Sequence, residues 1–175
     1  MEAQNAAADC GPPGGEGDVE ALYAHYSALT ADTTIDSGTL LSTDYFNAFN
    51  EVVMLLGMVP DMPDILDEVY DWKFRTYREH FEGSGLPIAA LAIECYAYAP
   101  EPIRRRFEEV VQELETAIEM AKEELRAVSE TAEAEELGHI AVMHSMRLQE
   151  LINTGSAVVH GVLHSLDQSA VDDLF

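Results

Sequence analysis

The chain has 175 residues, 47% of them hydrophobic, and a formal net charge of −24 from 33 Asp and Glu against nine Lys and Arg. That is enough apolar material for one domain plus tails, and the sign of the charge excludes nucleic acid and disfavours an anionic membrane as partners. No apolar run is long enough to span a bilayer, no signal-peptide pattern is present, and Cys10 and Cys95 do not read as a disulfide framework, so a cytoplasmic location is expected.

Charge is uneven along the chain. Residues 1–72 carry 14 acids and no base, and every Lys and Arg lies between Lys73 and Arg147. Residues 1–17 are rich in Ala, Gly, Pro and acid and are expected to be a disordered tail. A short helix follows over Val19–Leu29, with Leu22, Tyr23, Tyr26 and Leu29 on one side. Thr30–Gly38 is polar and reads as a loop. Ser42 or Thr43 caps a helix over Asp44–Val59, whose Phe46, Phe49, Val52, Val53, Leu56 and Val59 have helical spacing. Pro60 stops it. Met62–Trp72 opens another helix with Pro63 in the first turn, where its missing N–H costs nothing. Thr76 caps a single turn, Tyr77–Phe81, closed by Gly83. Pro87 begins a helix to Ala99.

The strongest period comes next. Pro102 starts a long helix to Val128, with Ile103, Phe107, Val110, Val111, Leu114, Ile118, Ala121, Leu125 and Val128 in a 3-4 repeat. After a break at Ser129–Glu133, a second long helix is expected over Ala134–Ser165. Its stripe is Leu137, Ile140, Ala141, His144, Leu148, Leu151, Ile152, Gly155, Val159, Val162 and Leu163. Two such helices with a short link form an antiparallel hairpin. The fold class is therefore all-α: short N-terminal helices plus a long antiparallel helical hairpin, which buries its face on the earlier helices or completes a four-helix bundle by dimerisation. Residues 18–165 form a single helical domain and 166–175 a C-terminal partner-binding segment.

No phosphate loop, nucleophile elbow or zinc spacing is present. Glu136 and His139 form one Glu-x-x-His pair, where a ferritin-like di-iron bundle needs two such pairs and two more carboxylates. Only His160 and His164 among the later histidines stand at i, i+4, and no metal ligand set is assigned. Glu150 and Asn153 share a face of the second long helix with Met146 and Ala157. Gln149, Asn153, Ser156 and His160 make a neighbouring polar stripe, which reads either as a solvated flank or as an amide and a carboxylate displayed on a rigid helix. A side-chain amide can orient a water for in-line attack on a phosphoryl group.

The last residues are acidic and apolar at chosen places. Val171, Leu174 and Phe175 fall at i, i+3 and i+4, with Asp167, Asp172 and Asp173 around them, and Asp167 or Ser169 is placed to cap a turn. Too short to hold itself as a helix in water, the segment either frays or lays its stripe in a partner's groove.

Gln168, Val171, Asp172, Leu174 and Phe175 match the pattern Gln-x-x-Val/Ile-Asp-x-Leu-Leu/Phe. The stretch resembles the short segments by which the CheZ-type chemotaxis phosphatases and the flagellar-switch proteins grip the CheY response regulator. The resemblance implies an acidic, all-helical regulator with a dimeric hairpin core that binds a CheY-like receiver domain through Gln168, Val171, Asp172, Asp173, Leu174 and Phe175. The family's catalytic helix carries an Asp and, four residues later, a water-positioning Gln. Glu150 takes the place of that acid in Leu148–Thr154, and the Gln position falls on Thr154, so the resemblance leaves Glu150, Asn153 and Gln149 as the catalytic candidates. No cofactor of its own is implied, since the Mg²⁺ of such a reaction belongs to the receiver. A non-catalytic acidic scaffold, including a DNA mimic, and a ferritin-like metal bundle stand as the other readings.

Overall fold

A computed structural model describes residues 16–129 and 131–162. Over these residues the chain is all-helical: α1 (Glu16–Leu29), α2 (Asn47–Met58), α3 (Leu66–Asp71), α4 (Tyr77–Ser84), α5 (Ala89–Tyr96), α6 (Glu101–Ser129) and α7 (Ala134–Val159). The described extended pairing is one isolated bridge between Ile35 and Ser42. No described helix is long and apolar enough to cross a membrane.

The expected hairpin is present. α6 buries Phe107, Val110, Leu114, Ile118, Ala121 and Leu125, one residue per turn of the 3.6 period, and turns its acids to solvent. On that outer face Arg106 Nη1 lies 3.1 Å from Glu109 and 3.6 Å from Glu113. α7 returns antiparallel, so Glu124 near the end of α6 meets His144 in the first half of α7, with Oε2 and Nε2 2.8 Å apart.

The other edge of α7 lies on α2. Ser145 Oγ donates to the Val53 carbonyl at 2.9 Å. Two glycines allow the approach. A Cβ on Gly138 would sit 3.1 Å from Pro60 Cα, and one on Gly155 would overlap the Phe46 ring. α7 is thus the middle helix of an α2–α7–α6 layer, and the chain's own α2 covers part of the hairpin face. Against α6 stand α4, α5 and their connectors. Tyr77, Phe81 and Cys95 are buried there, and the Tyr45, Phe46, Tyr77 and Tyr96 rings gather around Phe107 at centroid distances of 5.6, 5.8, 5.7 and 6.4 Å. Cys95 is a free thiol, and burial pushes its pKa up to about 11. The partner cysteine position, Cys10, lies outside the described residues. α1 joins through Tyr26, which stacks on Tyr98 at 4.8 Å, and Tyr23, whose hydroxyl donates to the Gly38 carbonyl at 2.8 Å.

Local signals placed most helix starts. The Ser42 hydroxyl accepts from Asp44 N at 3.2 Å, and the turn it caps, Thr43–Phe46, is 3₁₀ before α2 proper begins. Pro63 opens a second 3₁₀ turn, Pro63–Ile65, ahead of α3. Thr76 forms a full capping box with Glu79: its hydroxyl accepts from Glu79 N, and the Glu79 carboxylate accepts from Thr76 N at 2.8 Å. The Thr76 N–H and the Thr76 hydroxyl, each donating to the Glu79 carboxylate at 2.8 Å, hold that carboxyl below its usual range. Thr76→Ala is therefore expected to lower stability by about 1 kcal/mol in chemical denaturation. Thr76→Ser should restore most of it; an unchanged midpoint for Thr76→Ala would show that the box adds nothing.

Helix ends differ from expectation in four places. α1 begins at Glu16 rather than Val19, so the last two residues of the expected disordered tail are helical. α4 runs through Gly83 to Ser84 and closes on Gly85, which takes the left-handed conformation (φ 67°). α5 is shorter than Pro87–Ala99, spanning Ala89–Tyr96, because Ile88 and Ala97 complete turns at its two ends. α7 stops at Val159 rather than Ser165. Gly161 adopts φ 77°, Val162 N donates to Ala157 O and Gly161 N to Val158 O, both at 2.9 Å. This is the paired bonding of a Schellman end, which closes a helix on a left-handed glycine. Val162, expected in the apolar stripe, is consequently 51% exposed, and Leu163 lies outside the described residues.

The polar stretch read as a simple loop helps to hold that end. The Thr39 hydroxyl donates to the Val159 carbonyl, an orphan acceptor of the last turn, and His160 Nδ1 lies 3.3 Å from Asp36. Within the loop, Asp36 accepts from Gly38 N and Thr39 N at 2.9 and 3.0 Å. Burial alone would raise the Asp36 carboxyl, but these N–H bonds and His160 outweigh it and hold it below the usual range. Leu40 takes φ 61° in the same turn, a conformation that disfavours a branched side chain, and its complete burial offsets that cost.

Candidate functional site

The catalytic candidates all lie on the second half of α7, beyond the Gly138 contact and close to the Gly155 contact with α2. Helical geometry puts residues three and four apart on one flank. Gln149 Nε2 donates to Asn153 Oδ1 at 3.2 Å, so the two amides form one unit. This engages the Asn153 carbonyl and leaves the Gln149 carbonyl and the Asn153 NH₂ directed at solvent or at a partner. Gln149 is half-buried and Asn153 exposed. Glu150 is exposed on the adjoining ridge, and its carboxylate lies 3.8 Å from Arg147. Thr154, at the resemblance's glutamine position, is half-buried and donates its hydroxyl to the Glu150 carbonyl at 3.0 Å, one turn back on its own helix. The structure therefore brings Gln149 and Asn153 together, presents Glu150 beside Arg147, and engages the Thr154 hydroxyl with the backbone. A carbonyl oxygen next to a carboxylate on a rigid helix can accept a hydrogen bond from a water and so aim the water's lone pair toward an electrophile brought by another molecule.

Gln168, Val171, Asp172, Asp173, Leu174 and Phe175, the partner-binding candidates, lie outside the described residues, as does His164. Of the later histidines within the described residues, His144 meets Glu124 and His160 meets Asp36, while His139 is exposed. Among the described residues no three His, Cys, Asp or Glu side chains are grouped to hold a metal ion.

Two hollows flank this region. A groove of about 610 Å³ runs between α6 and α7, lined by Glu113, Thr116, Met120, His144, Arg147 and Leu151. A smaller cavity of about 210 Å³ lies on the opposite side of α6, among the rings around Phe107. Sequence spacing did not reveal the second, because its rings come from four stretches spread between Tyr45 and Phe107. Comparison with protein-family models, with characterised proteins and with solved structures gave no match to this chain.

Proposed function

We propose that this chain is a cytoplasmic regulator that binds a CheY-like receiver domain in bacterial chemotaxis or two-component signalling. The observation that carries the reading is the Gln168-x-x-Val171-Asp172-x-Leu174-Phe175 pattern, set seven residues beyond the Gly161 helix end. Val171, Leu174 and Phe175 supply an apolar stripe for a groove, and Asp172 and Asp173 steer it toward basic groups on the receiver.

Hydrolysis of the receiver's aspartyl phosphate is the subordinate part of the proposal. The Gln149–Asn153 amide pair orients the water, and Glu150 pairs with a cation of the receiver's site. The receiver supplies Mg²⁺. A homodimer fits the same scheme, because the outer ridge of α7 shows Met143 and Met146 at 58% and 63% exposure, apolar surface that a second hairpin would cover in a four-helix bundle.

The test compares the full chain with a chain ending at Leu166 in calorimetric titration of a CheY-like receiver. Removing Asp167–Phe175 is expected to weaken binding at least about 100-fold while the thermal midpoint stays unchanged, since the stripe makes up most of such a helix-in-groove contact. Equal affinity for the two chains would sink the receiver reading. A receiver charged with acetyl phosphate should lose its phosphate faster with the full chain, and Gln149→Ala and Asn153→Ala should each slow that loss without affecting binding.

The acidic exterior favours one other reading, a scaffold without chemistry that presents α6 carboxylates to a basic protein. Glu108, Glu109, Glu113, Glu119, Glu123 and Glu124 are all exposed along that helix. Salt-dependent competition with DNA for a basic protein would distinguish a DNA mimic of that kind.

A further inference from the structure

The cavity beside α6 has an unusual lining. Tyr45 and Phe107, each 1% exposed, form its floor with Tyr77, and the half-buried Phe74 and Tyr96 form its walls. The planes of these rings differ widely: Tyr77 and Tyr96 stack at 27°, Tyr77 and Phe107 stand at 83°, and Tyr45 and Phe107 at 50°. Carboxylates complete the lining. Glu108 is exposed at the rim, and Glu115 is half-buried.

The hydroxyls are already engaged. Tyr45 donates to the Arg75 carbonyl at 2.8 Å, Tyr96 donates to Glu108 at 2.7 Å, and Tyr77 accepts from Ser42 N at 3.0 Å. What remains open to a ligand is mainly the ring surface of Phe74 and Tyr96, because Tyr45, Tyr77 and Phe107 are at most 5% exposed. Glu108 also has Arg104 at 3.9 Å. Among the described residues no lysine, arginine or histidine nitrogen lies within ion-pair distance of Glu115. Its charge reaches the cavity floor: burial first, then Tyr96 and Glu115, push the Tyr45 phenol well above its ordinary range.

This chemistry selects its ligand by elimination. An anion would meet Glu108 and Glu115. A neutral apolar molecule would strip water from Glu115 and give nothing back. A metal ion would lack donors, since no three ligating side chains gather among the described residues. Aromatic faces and an uncompensated carboxylate together attract a poorly hydrated cation, through the ring quadrupoles and through Coulomb attraction. At about 210 Å³ the space is below the roughly 300 Å³ at which sites for drug-sized ligands begin.

We infer that this cavity binds a small alkylated ammonium cation, with the ammonium head against the half-buried Tyr96 and Phe74 rings and its charge balanced by Glu115. The site is separate from the α7 flank and does not depend on how the C-terminal segment acts.

The test titrates the full chain with tetramethylammonium chloride and with choline at constant ionic strength, followed by calorimetry and by NMR of the Tyr and Phe ring protons. 3,3-Dimethylbutan-1-ol serves as the uncharged isostere of choline. Binding of both cations is expected to saturate, with the alcohol about tenfold weaker. Glu115→Gln should weaken the cations by about tenfold, whereas Glu123→Gln, an exposed carboxylate of α6 outside the cavity lining, should leave them unchanged. Gln112→Trp, on the exposed rim, should block binding and leave the thermal midpoint in place. Non-saturating binding, equal affinity for the alcohol, or equal losses from Glu115→Gln and Glu123→Gln would overturn the inference, the last because it would mean a diffuse acidic field.

Discussion

Replacing Phe107 by alanine is expected to cost about 3–5 kcal/mol, the range for removing a buried phenylalanine ring. Phe107 is 1% exposed and has four other rings around it, from the turn before α2, from α4 and from α5. None of these elements is long: α4 and α5 have eight residues each. Helices of that length are not stable in water, so their order depends on the packing at this point. The loss should appear in chemical denaturation as a lower midpoint, and in near-UV circular dichroism as a weaker aromatic signal. Phe107→Leu should recover more than half of the difference, because most of the volume returns. A cost below about 1 kcal/mol for Phe107→Ala would mean that the cluster does not organise the fold, since a buried ring cannot be removed so cheaply from a packed core.

The second large effect comes from adding atoms rather than removing them. Gly155→Ala is expected to destabilise by about 1–3 kcal/mol net, the usual cost of overpacking. A helical Gly→Ala change by itself stabilises by up to about 1 kcal/mol. Here that gain is exceeded, because the new Cβ would overlap Phe46 Cζ and stand 2.8 Å from Cε1, and the ring, at 1% exposure, has no room to retreat. Gly57→Ala is the matched control. Its Cβ would meet only Ser145 Oγ, at 4.0 Å, so the same chemical change should be neutral or mildly stabilising. Thermal melts of the two variants should move in opposite directions. Pairing Gly155→Ala with Phe46→Leu tests the contact itself: if the double variant loses as much as the two single losses summed, the two residues do not touch.

Much of the architecture was legible from local rules. The 3-4 repeats of α6 and α7 gave the length of α6, the pairing of the two helices and most of their inward faces. Ser42, Pro63 and Thr76 marked helix starts, because a cap or a helical proline acts on backbone within one turn. Helix ends were less legible. Gly83 and Gly85 are equally able to close α4, and only the backbone chosen by the packed helix puts the left-handed residue at Gly85. The apolar spacing continues past Gly161 through Val162 and Leu163, yet the Thr39 and Asp36 contacts support an end before it.

The candidate sites divide in the same way. Gln149 and Asn153 were readable as neighbours, since an i, i+4 pair on a helix needs no tertiary information. That the Thr154 hydroxyl bonds to its own helix, and that Glu150 stands beside Arg147, followed from side-chain geometry. The sequence alone determined the charge, the helical class and the main course of the amphipathic stripes, because each depends on composition or on a period of a few residues. Only the tertiary structure decided that α7 is shared between α2 and α6, and that Tyr45, Phe74, Tyr77, Tyr96 and Phe107 enclose a cavity beside Glu115. Contacts across about 60 residues leave no periodic trace, since they are chosen by shape and volume once the helices have formed.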